Sequence, residues 1–241
     1  MRMNAYGIQL YSVKEHMAKS VADTLKELAA MGYKAVEPAG FFGLSAADFR
    51  GLCEKNGLAV CGSHNGFGDL LDGKDAATAA YFKELGCPRL IIAGAPMGNR
   101  QELDRAVEIL NRYQPVLKKA GIELMYHNHD GEFRENADGL IPYVELQRRT
   151  AVRFEVDVYW AYRGGVSPLY LLDQLGDRLG VIHLKDGTLQ KDAPLGKGDL
   201  PISAIVRWAE RHGVDMVVEN EPVAAVEMIE AAECIGFLKS L

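Results

Sequence analysis

The sequence predicts a closed (β/α)8 barrel, an α/β fold in a single domain spanning residues 1–241. Three observations carry that prediction. Short apolar runs alternate eight times with longer stretches of helical period. The runs are mostly rich in Val, Ile, Leu or Tyr, as strands buried on both faces are. Glycines stand between helical stretches and the runs that follow, where a left-handed C′ residue relieves the Cβ clash.

In order, the strand candidates are Tyr6–Leu10, Ala35–Glu37, Ala59–His64, Leu90–Ala93, Glu123–His127, Arg153–Asp157, Val181–Leu184 and Met216–Glu219. After the first, Val21–Met31 sets Val21, Leu25, Leu28 and Ala29 on one stripe and leaves Asp23, Lys26 and Glu27 to water. Gly32, Gly57, Gly86, Gly121 and Gly213 are the C′ candidates. Ser20, Ser45, Asp75, Asp138 and Ser167 are N-cap candidates, and Pro168 and Pro201 suit first turns. A doubly wound open sheet would need a glycine-rich turn after the first strand. Tyr11-Ser12-Val13-Lys14-Glu15 stands there instead, and no GxGxxG or GxxxxGK[ST] occurs.

Composition excludes several classes. With 48% hydrophobic residues the chain is globular rather than disordered. A net charge of −6 without a Lys/Arg block opposes gripping a phosphate backbone, so no nucleic-acid partner is expected. No apolar window reaches the roughly 18 residues of a membrane span. The opening Met1-Arg2-Met3-Asn4 lacks a secretory apolar core, and a cytoplasmic location is expected. Cys53, Cys61, Cys87 and Cys234 form no CxxC pair, which points to free thiols. GxSxG and HExxH are absent.

Barrels place their chemistry at the C-terminal ends of the strands. Those ends read Gln9, Glu37, His64, then Tyr126-His127-Asn128-His129, Asp157, His183-Leu184-Lys185-Asp186 and Glu219-Asn220-Glu221. A lone His there is ordinarily a hydrogen-bonded structural residue, and a lone Glu a helix cap. Together, several carboxylates and imidazoles on one rim would repel and desolvate unless a cation sat among them. Oxygen-dominated ligation with one imidazole suits Mn²⁺, Mg²⁺ or Co²⁺ better than structural zinc. Alternation along the strand sends His127 and His129 to one face, as one ligand and one proton carrier or as two structural histidines. Glu132 lies just beyond, where the loop could fold it back.

The residues also carry a resemblance. Gly7-Ile8-Gln9-Leu10-Tyr11-Ser12-Val13, Gly32-Tyr33-Lys34-Ala35-Val36-Glu37, Gly62-Ser63-His64, His183-Leu184-Lys185-Asp186, Leu195-Gly196-Lys197-Gly198-Asp199-Leu200 and Val217-Val218-Glu219-Asn220-Glu221 form one part of it. The other part is Tyr126-His127-Asn128-His129-Asp130-Gly131-Glu132-Phe133 and Phe154-Glu155-Val156-Asp157-Val158-Tyr159-Trp160. Almost end to end, the chain resembles the xylose-isomerase-like sugar phosphate isomerase/epimerase superfamily. Its YHNH and DxYW stretches are similar to the inosose-dehydratase-like branch. The resemblance implies a TIM barrel with one divalent ion held at the ends of strands five to eight. Asp157, His183 and Glu219 match the last three ligands. On strand five, where epimerases carry a glutamate, this chain offers Tyr126 or His127, with His129 and Glu132 just after, and the fourth ligand stays open.

The expected function is a divalent-metal-dependent sugar or sugar-phosphate isomerase/epimerase that abstracts a proton beside a carbonyl through an enediolate. A keto-inositol or keto-sugar dehydratase on the same site is the alternative, since the same intermediate can expel a β-hydroxyl. An abasic-site endonuclease and a non-catalytic sugar-binding barrel are the readings from other classes. Glu219 or Glu132 is the expected base, with His127 or His129 returning the proton. Lys185 would hold an anionic or hydroxyl oxygen, or else pair with Asp186 at the surface. Gln9, Glu37, His64 and Glu221 would read hydroxyls, and Trp160 would stack on a ring. Mn²⁺ heads the expected ions, followed by Mg²⁺, Co²⁺ and Zn²⁺. Gly196-Lys197-Gly198 either holds a phosphate or is a turn, and Leu103–Leu117 offers a face for a homo-oligomer.

Overall fold

The computed structural model describes residues 6–70 and 75–241, so Met1–Asn4 and the side chain of the expected cap Asp75 lie outside the described set. The strands are β1 (Gly7–Gln9), β2 (Ala35–Glu37), β3 (Ala59–Val60), β4 (Ser63–Asn65), β5 (Arg89–Ile92), β6 (Glu123–His127), β7 (Arg153–Asp157), β8 (Leu179–Leu184), β9 (Asp186–Gly187), β10 (Asp192–Ala193) and β11 (Asp215–Val218). Around them lie α1 (Lys14–Lys19), α2 (Val21–Met31), α3 (Ala46–Lys55), α4 (Asp75–Leu85), α5 (Arg100–Lys119), α6 (Pro142–Arg149), α7 (Val158–Arg163), α8 (Pro168–Leu175), α9 (Ile202–His212) and α10 (Glu227–Lys239). The main sheet runs β3-β2-β1-β11-β8-β7-β6-β5-β4. Its two edges, β3 and β4, are halves of one barrel position.

The expected run Ala59–His64 is therefore corrected to two short strands broken at Cys61-Gly62. β3 pairs with β2, β4 pairs with β5, and a parallel bridge from Ala39 to His64 closes the ring. Space explains the break. A Cβ on Gly62 would sit 2.6 Å from Glu37 Oε2 and 2.7 Å from Ile91 Cδ1, so glycine there lets a carboxylate occupy the barrel interior.

Alternation then stacks the inward side chains in layers. Arg89 with Asp215 (2.6 Å) and Arg153 with Glu123 (2.8 Å) close the floor. Ala35, Cys61, Ile91, Met125, Val181 and Val217 form an apolar waist above them. Next comes a buried polar layer containing Gln9, Glu37, Glu155 and His183. Outward partners such as Phe154, Val156, Ile182 and Leu184 pack beneath the helices in the main core. On α2, Leu25 and Leu28 are buried while Asp23, Lys26 and Glu27 are exposed, as the stripe requires.

All five expected C′ glycines have positive φ, and Ser20 and Ser45 cap α2 and α3. Two other caps are corrected. Asp138 instead accepts from the amide of Arg100 at 2.6 Å, reinforcing the start of α5, and Ser167 makes no cap bond. The apolar stripe of Leu103–Leu117, expected to be available to another subunit, is turned onto the barrel: Leu103, Ala106, Leu110, Tyr113 and Leu117 are buried. The four cysteines are free and buried. Among the described residues, no helix is long and apolar enough to cross a membrane.

Candidate metal centre

Four strand positions converge above the polar layer. His127, Asp157, His183 and Glu219, all buried, each offer one ligand atom, and these atoms lie within 4.8 Å of one another. Asp157 Oδ1 caps α7 by accepting from the Trp160 amide at 2.8 Å, which leaves Oδ2 buried with no partner. Asn128, on the opposite face from its histidine neighbours, clamps β6 to β7. Its Nδ2 donates to the Asp157 carbonyl at 3.1 Å, and its Oδ1 accepts from the Asp157 amide at 3.2 Å.

The electrostatics fit a cation. Burial pushes the Asp157 carboxyl up to about 7, against the pull of Lys185. Burial likewise drives His127 down to about 3, so it stays a neutral imidazole, the form that ligates metals. Burial opposes charge on His183, but Glu155 and Glu37 outweigh it and hold its pKa well above the usual histidine value. Its Nδ1 lies 2.7 Å from Glu219 Oε2, so the proton between them occupies the space of an ion. Three fully buried carboxylates, Glu37, Glu155 and Asp157, crowd here with the nearly buried Glu219, and leaving them uncompensated would cost several kcal/mol each. The orphaned Oδ2 and the donor set therefore suit a divalent ion. Two imidazoles stand among the four donors where one was expected, a mixed nitrogen and oxygen set of the kind that divalent ions take.

These directions make a prediction. Below pH 7 Asp157 keeps a proton that the ion must displace, so affinity for Mn²⁺ drops about tenfold per pH unit, and the His183 proton steepens the slope. At pH 7.5, Mn²⁺ at a thousand times its Kd contributes about 4 kcal/mol, raising Tm by roughly 10 °C. Thermal scans with and without chelator across pH 5.5 to 8 check both.

Beneath the ligands lies a residue that sequence reasoning missed. Glu155 Oε1 is 3.0 Å from His183 Nε2, and Oε2 is 3.1 Å from His127 Nδ1. Glu155 Oε2 thus accepts from the outer nitrogen of His127, while Glu37 is the hydrogen-bond partner of the outer nitrogen of His183 with Glu155 Oε1 close by. That leaves His183 Nδ1 and His127 Nε2 for the centre. Its signal was present: a charged residue two positions before Asp157, on the same face of a strand whose other face carries Phe154 and Val156. Glu37, expected to read hydroxyls, is corrected to a buried support. It accepts from Gln9 Nε2 at 2.9 Å and lies 2.9 Å from His183 Nε2 and 3.1 Å from His64 Nε2. His64 also meets Glu155 at 2.6 Å and stacks on His183 with centroids 5.2 Å apart.

Lys185 is fully buried, not exposed beside Asp186. It donates to Glu219 at 3.2 Å and to Glu221, and lies 4.8 Å over the Trp160 ring. Burial opposes its charge, but Glu219 and then Asp157 and Glu221 prevail, so it is a fixed cation. Glu132, an expected base, does fold back, though onto the strand end: it accepts from Tyr126 Oη at 2.9 Å and the His129 amide at 3.1 Å. Both oxygens are engaged away from the cavity. The Gly196-Lys197-Gly198 turn is likewise occupied by the protein itself. Its Gly196 and Gly198 amides donate to Asp186 Oδ2 at 2.9 and 3.1 Å, and Lys197 pairs with Glu233. No phosphate cradle is left there.

A cavity of about 1050 Å³ opens over this cluster. Gln9, His64, His127, His129, Trp160, Glu219 and Glu221 are among its lining, and no Arg or Lys lines it among the described residues. His129 stands between His127 (centroids 5.0 Å apart) and Trp160 (5.7 Å).

The chain is 26% identical over 186 residues to an inosose dehydratase of Geobacillus kaustophilus, covering 67% of this chain and 60% of that enzyme. A solved sugar phosphate isomerase/epimerase of Parabacteroides distasonis superposes with a TM-score of 0.87 at 27% identity, covering 98% of each chain. A probable 3-DHS dehydratase of Bacillus anthracis shares the fold at 12% identity, with a TM-score of 0.79 over 98% of both chains. The family model described as xylose isomerase-like TIM barrel matches residues 25–240, and the chain belongs to that family.

Proposed function

We propose that the protein is a divalent-metal-dependent lyase that removes a proton beside the carbonyl of an uncharged keto-sugar or keto-polyol and expels the β-hydroxyl. The observation that carries this reading is the buried set of His127, Asp157, His183 and Glu219 beneath a cavity whose lining includes His129. The likeness to the inosose dehydratase favours elimination over epimerisation at that set. Elimination needs one base and one acid. Glu219, kept ionised by Lys185 and His183 despite its burial, takes the proton. The electron pair of the broken C–H bond forms the double bond as the C–O bond breaks. His129 gives a proton to the departing hydroxyl, which leaves as water, and Glu219 then returns the proton it took to His129 through solvent. An ion held by His127, Asp157, His183 and Glu219 would supply Lewis-acid stabilisation of the developing oxyanion. Gln9 and Glu221 face the hydroxyls, and Trp160 offers its ring face.

Isomerisation or epimerisation is the second reading, favoured by the likeness to the Parabacteroides distasonis structure. Neither needs a phosphate on the substrate, since the described lining has no Arg or Lys. The same lack, with the acidic net charge, speaks against abasic-site cleavage. The test is incubation of Mn²⁺-loaded protein with keto-inositols and keto-sugars in D₂O, followed by mass spectrometry. Loss of water is expected. Deuterium retained at carbon without mass loss would move the assignment to isomerase, and neither change would refute catalysis on these substrates.

A further inference from the structure

The cavity has a second half that the polyol chemistry does not use. Phe41, Tyr81 and Phe82, with Ala39, Ala77 and Thr78, line that part. The Phe41 and Tyr81 rings lie 4.5 Å apart at 46°, and Phe82 meets Phe41 edge-on at 6.4 Å. The backbone that presents this shelf is contorted. Phe42 holds φ +54 between Gly40 and Gly43, themselves at +91 and +75. A left-handed aromatic residue is strained and persists where the surroundings impose it. Here Phe42 stacks at 19° on Phe49 outside while Phe41 lines the cavity. Pockets of roughly 300 to 1,000 Å³ enclose drug-sized ligands, so about 1050 Å³ is far more than one sugar ring needs.

We infer that this half is a subsite for an apolar, ring-bearing substituent carried by the polyol, so that the substrate class is an uncharged glycoside or ether of a keto-polyol rather than the free sugar. The inference rests on the keto-polyol reading above. The shelf would stack the substituent while the polar lining holds the hydroxyls, and the described lining carries no Arg or Lys for an anionic group.

Isothermal titration of the full chain with phenyl and methyl glucosides, with and without Mn²⁺, tests it. The phenyl glucoside is expected to bind about 10- to 100-fold tighter. Phe41→Ala removes most of that preference and leaves methyl glucoside affinity unchanged. Thr78→Trp, on a different element, fills the same space and abolishes phenyl binding selectively, which guards against a misfolded first variant. Equal affinities, or no binding of either glucoside, overturn the subsite. So does an equal loss of both in Phe41→Ala. A phenyl preference that persists without proton exchange or metal loading overturns the catalytic reading alone.

Discussion

Asp157→Asn is expected to lower turnover of the keto-polyol substrate by about a thousandfold or more. The arithmetic is that of Lewis-acid catalysis: several kcal/mol of oxyanion stabilisation depend on the ion, and each 1.4 kcal/mol or so is a factor of ten. The variant is a clean probe because asparagine keeps the side-chain oxygen that caps α7 at the Trp160 amide. What it removes is the charge on the oxygen that has no partner in the protein. Metal content by elemental analysis should fall with the rate, helix content should not, and added Mn²⁺ should no longer raise Tm. Wild-type metal content in this variant would mean that the ion binds elsewhere.

Glu155→Gln is the second large effect, and it acts through the imidazoles rather than at the centre. The carboxylate accepts from His127 Nδ1 at Oε2 and holds Oε1 3.0 Å from His183 Nε2. An amide can accept from one of them, and it aims an N–H at the other. One histidine must then turn or change tautomer, and affinity for Mn²⁺ is expected to drop roughly 10- to 100-fold. Breaking this buried pairing also costs about 3 kcal/mol of stability, or roughly 10 °C in Tm. Chelator competition measures the affinity, and the visible spectrum of the Co²⁺-loaded variant reports the changed geometry. Unaltered affinity and spectrum would reduce Glu155 to simple packing.

The barrel was readable because its signal is repetitive: apolar runs, helical stripes and C′ glycines recur around the ring, and errors in one unit do not disturb the count. The break at Cys61-Gly62 was not readable, because the reason for it, the Glu37 carboxylate arriving from the neighbouring strand, is a contact between distant residues. Asp157, His183 and Glu219 were placed together by strand-end position and resemblance. Glu132 and Glu37 were misplaced for one physical reason. A sequence shows that a carboxylate stands near a rim, but not whether backbone amides, a tyrosine hydroxyl or imidazoles already claim its oxygens. Lys185 illustrates the same limit, since its burial follows from Glu219 and Glu221 reaching across from another strand.

The layered interior has a consequence for how the molecule comes to be correctly assembled. A slip of one residue in β7 would carry Glu155 and Asp157 out beneath the helices and bring Phe154 and Val156 inward. Strand register and the assembly of the candidate metal centre are thus one property of the chain. A molecule in which His127, Asp157, His183 and Glu219 have come together has, by that fact, proofread its own pairing.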